Sequence, residues 1–154
     1  MNRVAICCED IPLPRWSPAL KRYTRKVLAC LGKDKWDLDI LLCGDAAMSR
    51  LNAQYRGKDS ATDVLSFASS GKDTFPTYNQ RIPGDIAISL ETLRENASRF
   101  KISGDEELRR LLIHGILHLN GMNHSSNGKT EPMLILQEKI LAELAGESIM
   151  GRNA

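Results

Sequence analysis

Apolar residues along the chain recur with two periods, one suited to strands and one to helices. From Arg3 to Cys8 the chain is short, apolar and β-leaning, which predicts a first strand. Glu9 to Arg15 carries two prolines and predicts a connector. Ser17-Pro18 then offers a capping serine with proline in the first helical position. Behind it Leu20, Tyr23, Val27, Leu28 and Leu31 recur at helical spacing, with Lys21, Arg22, Arg25 and Lys26 among them, and Gly32 ends the helix. Trp36 to Cys43 alternates and then runs apolar, as a well-buried strand does. Gly44-Asp45 turns the chain, with Asp45 as cap of a helix passing through Leu51 and Tyr55.

The stretch Tyr55 to Phe67 is polar and turn-rich at first, then a short apolar strand. Ser69 to Pro83 is a long polar segment, either a substrate-side flap or a plain loop. Gly84 to Ser89 predicts another strand, and Ser89 caps a helix from Leu90 to about Phe100. Ser103-Gly104-Asp105-Glu106 matches a capping box. The helix it opens is apolar on most sides through Leu108, Leu111, Leu112, Ile113, Ile116, Leu117 and Leu119, so it should lie buried against the sheet. A last helix spans about Glu131 to Leu144, and the tail Gly146 to Ala154 reads as loose. The expected fold class is α+β: a central mixed β-sheet of about four strands packed with helices, in a single domain over residues 1–154.

Composition adds little to that picture. Hydrophobic content of 42% and charged content of 26% are ordinary for a globular protein, and a net charge of +2 permits a polyanionic partner without arguing for one. No apolar run approaches a membrane span and no secretory signal opens the chain, so the expected location is the cytoplasm. Cys7, Cys8, Cys30 and Cys43 form no CxxC motif and read as reduced core or near-core residues.

The chemistry is concentrated in His114-Gly115-Ile116-Leu117-His118-Leu119-Asn120-Gly121-Met122-Asn123-His124, which holds all three histidines of the protein. His114 and His118 are four residues apart, about 40° apart around a helix and one turn above the other. Gly121 can take the positive φ that ends a helix and folds the chain back toward His124. Core histidines satisfied by local hydrogen bonds would explain one imidazole on an apolar helix, but not three at this spacing. A structural zinc is normally closed by four ligands, usually including cysteine, and no cysteine is near in sequence. Three imidazoles with an open fourth position describe a catalytic zinc-type site.

The spacing matches the metzincin signature H-E-x-x-H-x-x-G-x-x-H at every histidine and at Gly121, but Gly115 stands where those proteases place their general-base glutamate. That weakens a protease reading. A glycine inside a helix also costs about 1 kcal/mol against alanine, which points to close packing or binding at this spot.

The pattern His114-Gly115-x-Leu117-His118-Leu119-x-Gly121-x-x-His124 resembles the signature of the YbeY family of metal-dependent endoribonucleases. Tyr55-Arg56-Gly57-Lys58-Asp59, with Thr62-Asp63-Val64-Leu65-Ser66-Phe67, resembles a second family motif, and Gly84-Asp85-Ile86-x-Ile88-Ser89 a third. One position departs from the pattern: Asn123 stands where the family usually has aspartate. The resemblance implies a deep cleft at a zinc-like divalent ion held by His114, His118 and His124. It implies single-stranded RNA as substrate, processing of the 3′ end of the small-subunit rRNA, a role in ribosome quality control, and the ribosomal small subunit as partner. It places Arg56 on the family's activity-associated arginine, suited to hold the scissile phosphate. A turn role for Arg56, paired with Asp59 or Asp63, is the alternative. Lys58, Lys72 and Arg81 are further candidates to track the RNA backbone. Two other classes stay open: a metal-dependent hydrolase of peptides or amides, and a non-catalytic ribosome-associated factor whose metal holds the fold.

Overall fold

Strand periodicity sets the architecture. The computed structural model describes residues 1–67 and 81–151. In these, β1 (Arg3–Glu9), β2 (Trp36–Cys43), β3 (Val64–Phe67) and β4 (Ile82–Ser89) form one mixed sheet in the order β1-β2-β4-β3. β1, β2 and β4 run parallel, and β3 pairs antiparallel to β4, with Leu65 opposite Ala87. The helices are α1 (Ser17–Cys30), α2 (Asp45–Arg56), α3 (Leu90–Phe100), α4 (Gly104–Leu119) and α5 (Pro132–Glu143). The expected α+β class with a four-stranded mixed sheet is what the chain adopts.

Alternation along the strands divides the core in two. Val4, Leu38, Ile40, Leu42, Ile86 and Ile88 face a large cluster built with α1, α3, α4 and α5. Cys43, Leu65 and Ala87 face the other way, onto Ala47 and Met48 of α2. α4 is the central helix: Leu108, Leu112, Ile113, Ile116 and Leu117 are fully buried. Its seat on the sheet depends on two glycines. A Cβ at Gly115 would come within 3.2 Å of both Ile86 Cγ2 and Ser66 Oγ, and one at Gly84 within 3.0 Å of Leu119 Cδ1. Ser66 Oγ also donates to the Gly115 carbonyl at 3.1 Å. The helical glycine therefore serves close packing of α4 on β3 and β4.

Several local expectations change. Trp16, not Ser17, stands at the N-cap of α1, with no side-chain cap hydrogen bond. Gly44 occupies that position in α2, where Glu91 Oε1 accepts from the Asp45 backbone N–H at 3.0 Å. The Asp45 carboxylate turns instead to the neighbouring helix start and accepts from Ser89 Oγ at 2.6 Å and Thr92 Oγ1 at 2.5 Å. Ser89 does cap α3, and Ser103 caps α4 by accepting from the Glu106 N–H at 3.0 Å. The reciprocal half of the capping box is replaced by an ion pair, because Glu106 Oε2 accepts from Arg110 at 3.0 Å.

The segment after α5 is not loose through Met150. Ile149 is buried, and the Ile149 and Met150 N–H groups both donate to Asp105 Oδ1 at 2.7 Å. Asp105 Oδ2 accepts from Arg109 Nε at 2.9 Å, so one buried carboxylate ties this segment to the start of α4. Among the cysteines only Cys43 is a core residue; Cys7 and Cys30 are exposed and Cys8 is intermediate. Burial pushes the Cys43 thiol up to about 11. Most of the long polar segment, with Lys72, lies outside the described residues.

Candidate metal centre

α4 stops because the chain adopts a Schellman turn. Asn120 is the C-cap, Gly121 takes φ +88°, and the N–H groups of Gly121 and Met122 donate to the carbonyls of His118 and Leu117 at 3.0 and 3.1 Å. This reversal returns the chain across the helix end and carries His124 to the face that holds His114 and His118. The three rings have centroids 4.7, 5.1 and 5.6 Å apart. Their ligand nitrogens lie within 4.8 Å of one another, a group that could hold a metal ion.

The outer nitrogen of each ring has an oxygen partner. His114 Nδ1 faces Gln137 Oε1 at 2.7 Å, His118 Nδ1 faces the Met122 carbonyl at 3.0 Å, and His124 Nδ1 faces the Ser126 carbonyl at 2.9 Å. Carbonyl oxygens only accept, so each Nδ1 carries the proton and each Nε2 keeps a lone pair directed inward. The His114 and His118 Nε2 atoms are 3.1 Å apart. Two lone pairs at that distance repel in the neutral rings, and a cation between them removes the repulsion. The donor set therefore fits a metal ion.

Burial reinforces this state. It lowers the pKa of His114, with the neighbouring imidazoles adding to the shift and the Gln137 bond opposing it. Burial lowers that of His118 too, while its hydrogen bond to the Met122 carbonyl opposes the shift. Neutral rings are the form that binds metal.

The Gln137 partner was not evident from sequence. Its amide is oriented by its own neighbour, since Gln137 Nε2 donates to Glu138 Oε2 at 3.2 Å. Glu138 in turn accepts from Arg110 through both oxygens, at 3.1 and 3.0 Å. The one signal was position: Gln137 sits among Met133, Ile140 and Leu141 on the buried stripe of α5.

Beside the histidines is a cavity of about 380 Å³ lined by Arg56, Lys58, Asp63, Ser66, His114 and His118, among others. Arg56 is the last residue of α2, which ends because Gly57 takes φ +68°. The following loop is held to the helix by buried Asn52, whose Nδ2 donates to the Ser60 carbonyl at 2.8 Å. Among the described residues no carboxylate is within ion-pair distance of Arg56, so the turn pairing with Asp59 or Asp63 does not form. Asp63 is engaged elsewhere: it accepts from the Val64 N–H at 2.8 Å and from Asn96 Nδ2 at 3.2 Å. Arg81 is not a cleft residue. Its guanidinium donates to the Trp36 carbonyl at 3.1 Å and to the Met1 carbonyl, bracing β1 and β2.

Fold and site together describe an α+β protein with three clustered imidazoles, two of which share a cleft with a guanidinium that no carboxylate among the described residues pairs. Residues 9–145 match the family described as Endoribonuclease YbeY, and the chain belongs to that family. It is 45% identical over 144 residues to the Endoribonuclease YbeY of Treponema pallidum subsp. pallidum, covering 93% of this chain and 90% of the relative. Against the protein of that name from Persephonella marina the identity is 38%, over 94% of each chain. The fold is similar to the solution structure of TM1509 from Thermotoga maritima, with a TM-score of 0.61, 27% identity, and coverage of 95% of this chain and 90% of that one. No helix among the described residues is long and apolar enough to cross a membrane.

Proposed function

We propose that this protein is a metal-dependent endoribonuclease specific for single-stranded RNA, acting in the cytoplasm on the 3′ end of small-subunit rRNA and in ribosome quality control. The carrying observation is the convergence of three lone-pair-bearing imidazole nitrogens, two of which, on His114 and His118, line one open cavity with an Arg56 guanidinium that no carboxylate among the described residues pairs. Membership of a family named for endoribonucleases supports RNA as the substrate.

His114, His118 and His124 hold the ion through Nε2, and Gln137, Met122 and Ser126 fix the ring tautomers from behind. When bound, a zinc-like divalent ion supplies Lewis acidity toward the phosphoryl group and acidifies water. Arg56 holds the scissile phosphate through its planar fork and stabilises the charge that develops there. Lys58, on the same wall, adds positive charge for the adjoining backbone. The attacking group is water or the substrate's own 2′-hydroxyl, and the ends of the product distinguish the two.

The test is to incubate purified protein with single-stranded RNA, double-stranded RNA and casein, with and without chelator, beside His114→Ala prepared in parallel. The expected result is cleavage of single-stranded RNA that chelator and His114→Ala both abolish. Cleavage of casein, or RNA cleavage equal in His114→Ala, overturns the reading.

A further inference from the structure

Tyr55 is a large aromatic residue left 58% exposed at the end of α2. Its ring lies 4.7 Å from that of Phe67, with the planes at 43°. The small core beneath α2, made of Cys43, Ala47, Met48, Leu65 and Ala87, is built without Tyr55. Two consecutive pairs, Tyr55-Arg56 on α2 and Ser66-Phe67 on β3, are divided between two cavities. Arg56 and Ser66 line the histidine cavity, whereas Tyr55 and Phe67 line a neighbouring one of about 650 Å³. The four residues thus form the rim that both cavities share.

The second cavity has apolar walls at Leu41 and Leu51 and is also lined by the carboxylates of Asp39 and Asp85. A carboxylate there opposes entry of a phosphate, but it accepts hydrogen bonds from the amino edge of a nucleobase. Aromatic faces beside a cationic track are the usual means of holding single-stranded nucleic acid, because every base has a π-face. We propose that Tyr55 and Phe67 form a stacking platform for a nucleobase next to the phosphate held by Arg56. This inference rests on the ribonuclease reading and extends it from the cleaved phosphate to an adjoining base.

Steady-state cleavage of a short single-stranded RNA tests it, using unaltered protein, Tyr55→Leu and Tyr55→Phe. A companion scan places one abasic nucleotide at successive positions around the cleavage site. Tyr55→Leu should raise KM about tenfold with little change in kcat, and Tyr55→Phe should behave like the unaltered protein. One abasic position should raise KM for the unaltered protein and have no further effect on Tyr55→Leu. The scan on the unaltered protein needs no variant to fold. Normal cleavage with KM unmoved by Tyr55→Leu and by every abasic position overturns this inference alone, and the groove then faces something other than RNA. Failure of the unaltered protein to cleave any RNA overturns the ribonuclease reading and this inference with it.

Discussion

Gln137 Oε1 accepts a hydrogen bond from His114 Nδ1 at 2.7 Å, joining the packed faces of α5 and α4. The bond fixes which ring nitrogen carries the proton, and so which one is left to bind metal. Replacing Gln137 with leucine removes the acceptor without adding bulk, and His114 is then free to place its proton on Nε2. Metal affinity should fall about 10- to 100-fold, while circular dichroism stays unchanged. Titration of the metal-free protein with Zn²⁺ measures this; an unaltered affinity would show that Gln137 does not position the ring.

Gly115 makes a second prediction. Alanine there gains about 1 kcal/mol in helix propensity, but its Cβ would sit 3.2 Å from Ile86 Cγ2 and Ser66 Oγ. Ile86 is buried in the sheet and Ser66 is hydrogen-bonded to the helix, so neither yields easily. Overpacking of this kind costs roughly 1–3 kcal/mol, and Gly115→Ala should be less stable by about 1 kcal/mol in urea unfolding. Gly115→Glu, which completes the protease signature, should be destabilised much further and hydrolyse no casein.

Asp45 gives stability a pH dependence. Hydrogen bonds from Ser89 first, and then Thr92, hold its carboxyl below the usual carboxylate range. A group with a lowered folded-state pKa stabilises fully above its unfolded value and loses that contribution as pH falls through the folded value. Asp45→Asn should therefore be about 1 kcal/mol less stable at neutral pH, with the gap to the unaltered protein closing on acidification below the usual carboxylate range. Urea midpoints of the two proteins across that acid range measure it; a constant gap would contradict the assignment.

How far the sequence reveals this molecule depends on whether the signal is local. The bounds of β2 were evident because alternation that passes into an apolar run leaves a plain mark over eight residues. The Ser103 cap and the His114–His118 pair were evident because one helical turn fixes their geometry. Asp45 misled because its side chain answers to Ser89 and Thr92, more than forty positions away. The segment around Ile149 looked loose for the same reason, since its anchor Asp105 lies 44 residues back. At the site, the ligands could be found by spacing, but Gln137 and the rim of Tyr55 and Phe67 depend on packing between distant elements. Arg56 was singled out through family likeness; what the fold adds is that no carboxylate among the described residues claims it.

The proposal that bound metal and Arg56 act together on phosphate is tested most directly by measuring metal content and RNA cleavage on the same preparations. The proteins needed are the unaltered chain, Arg56→Glu and His124→Ala. One divalent ion per chain is expected in the unaltered protein and in Arg56→Glu, and none in His124→Ala. Cleavage of single-stranded RNA should fall at least about 100-fold in both variants. Cleavage by Arg56→Glu at the unaltered rate, or a full complement of metal in His124→Ala, would contradict it.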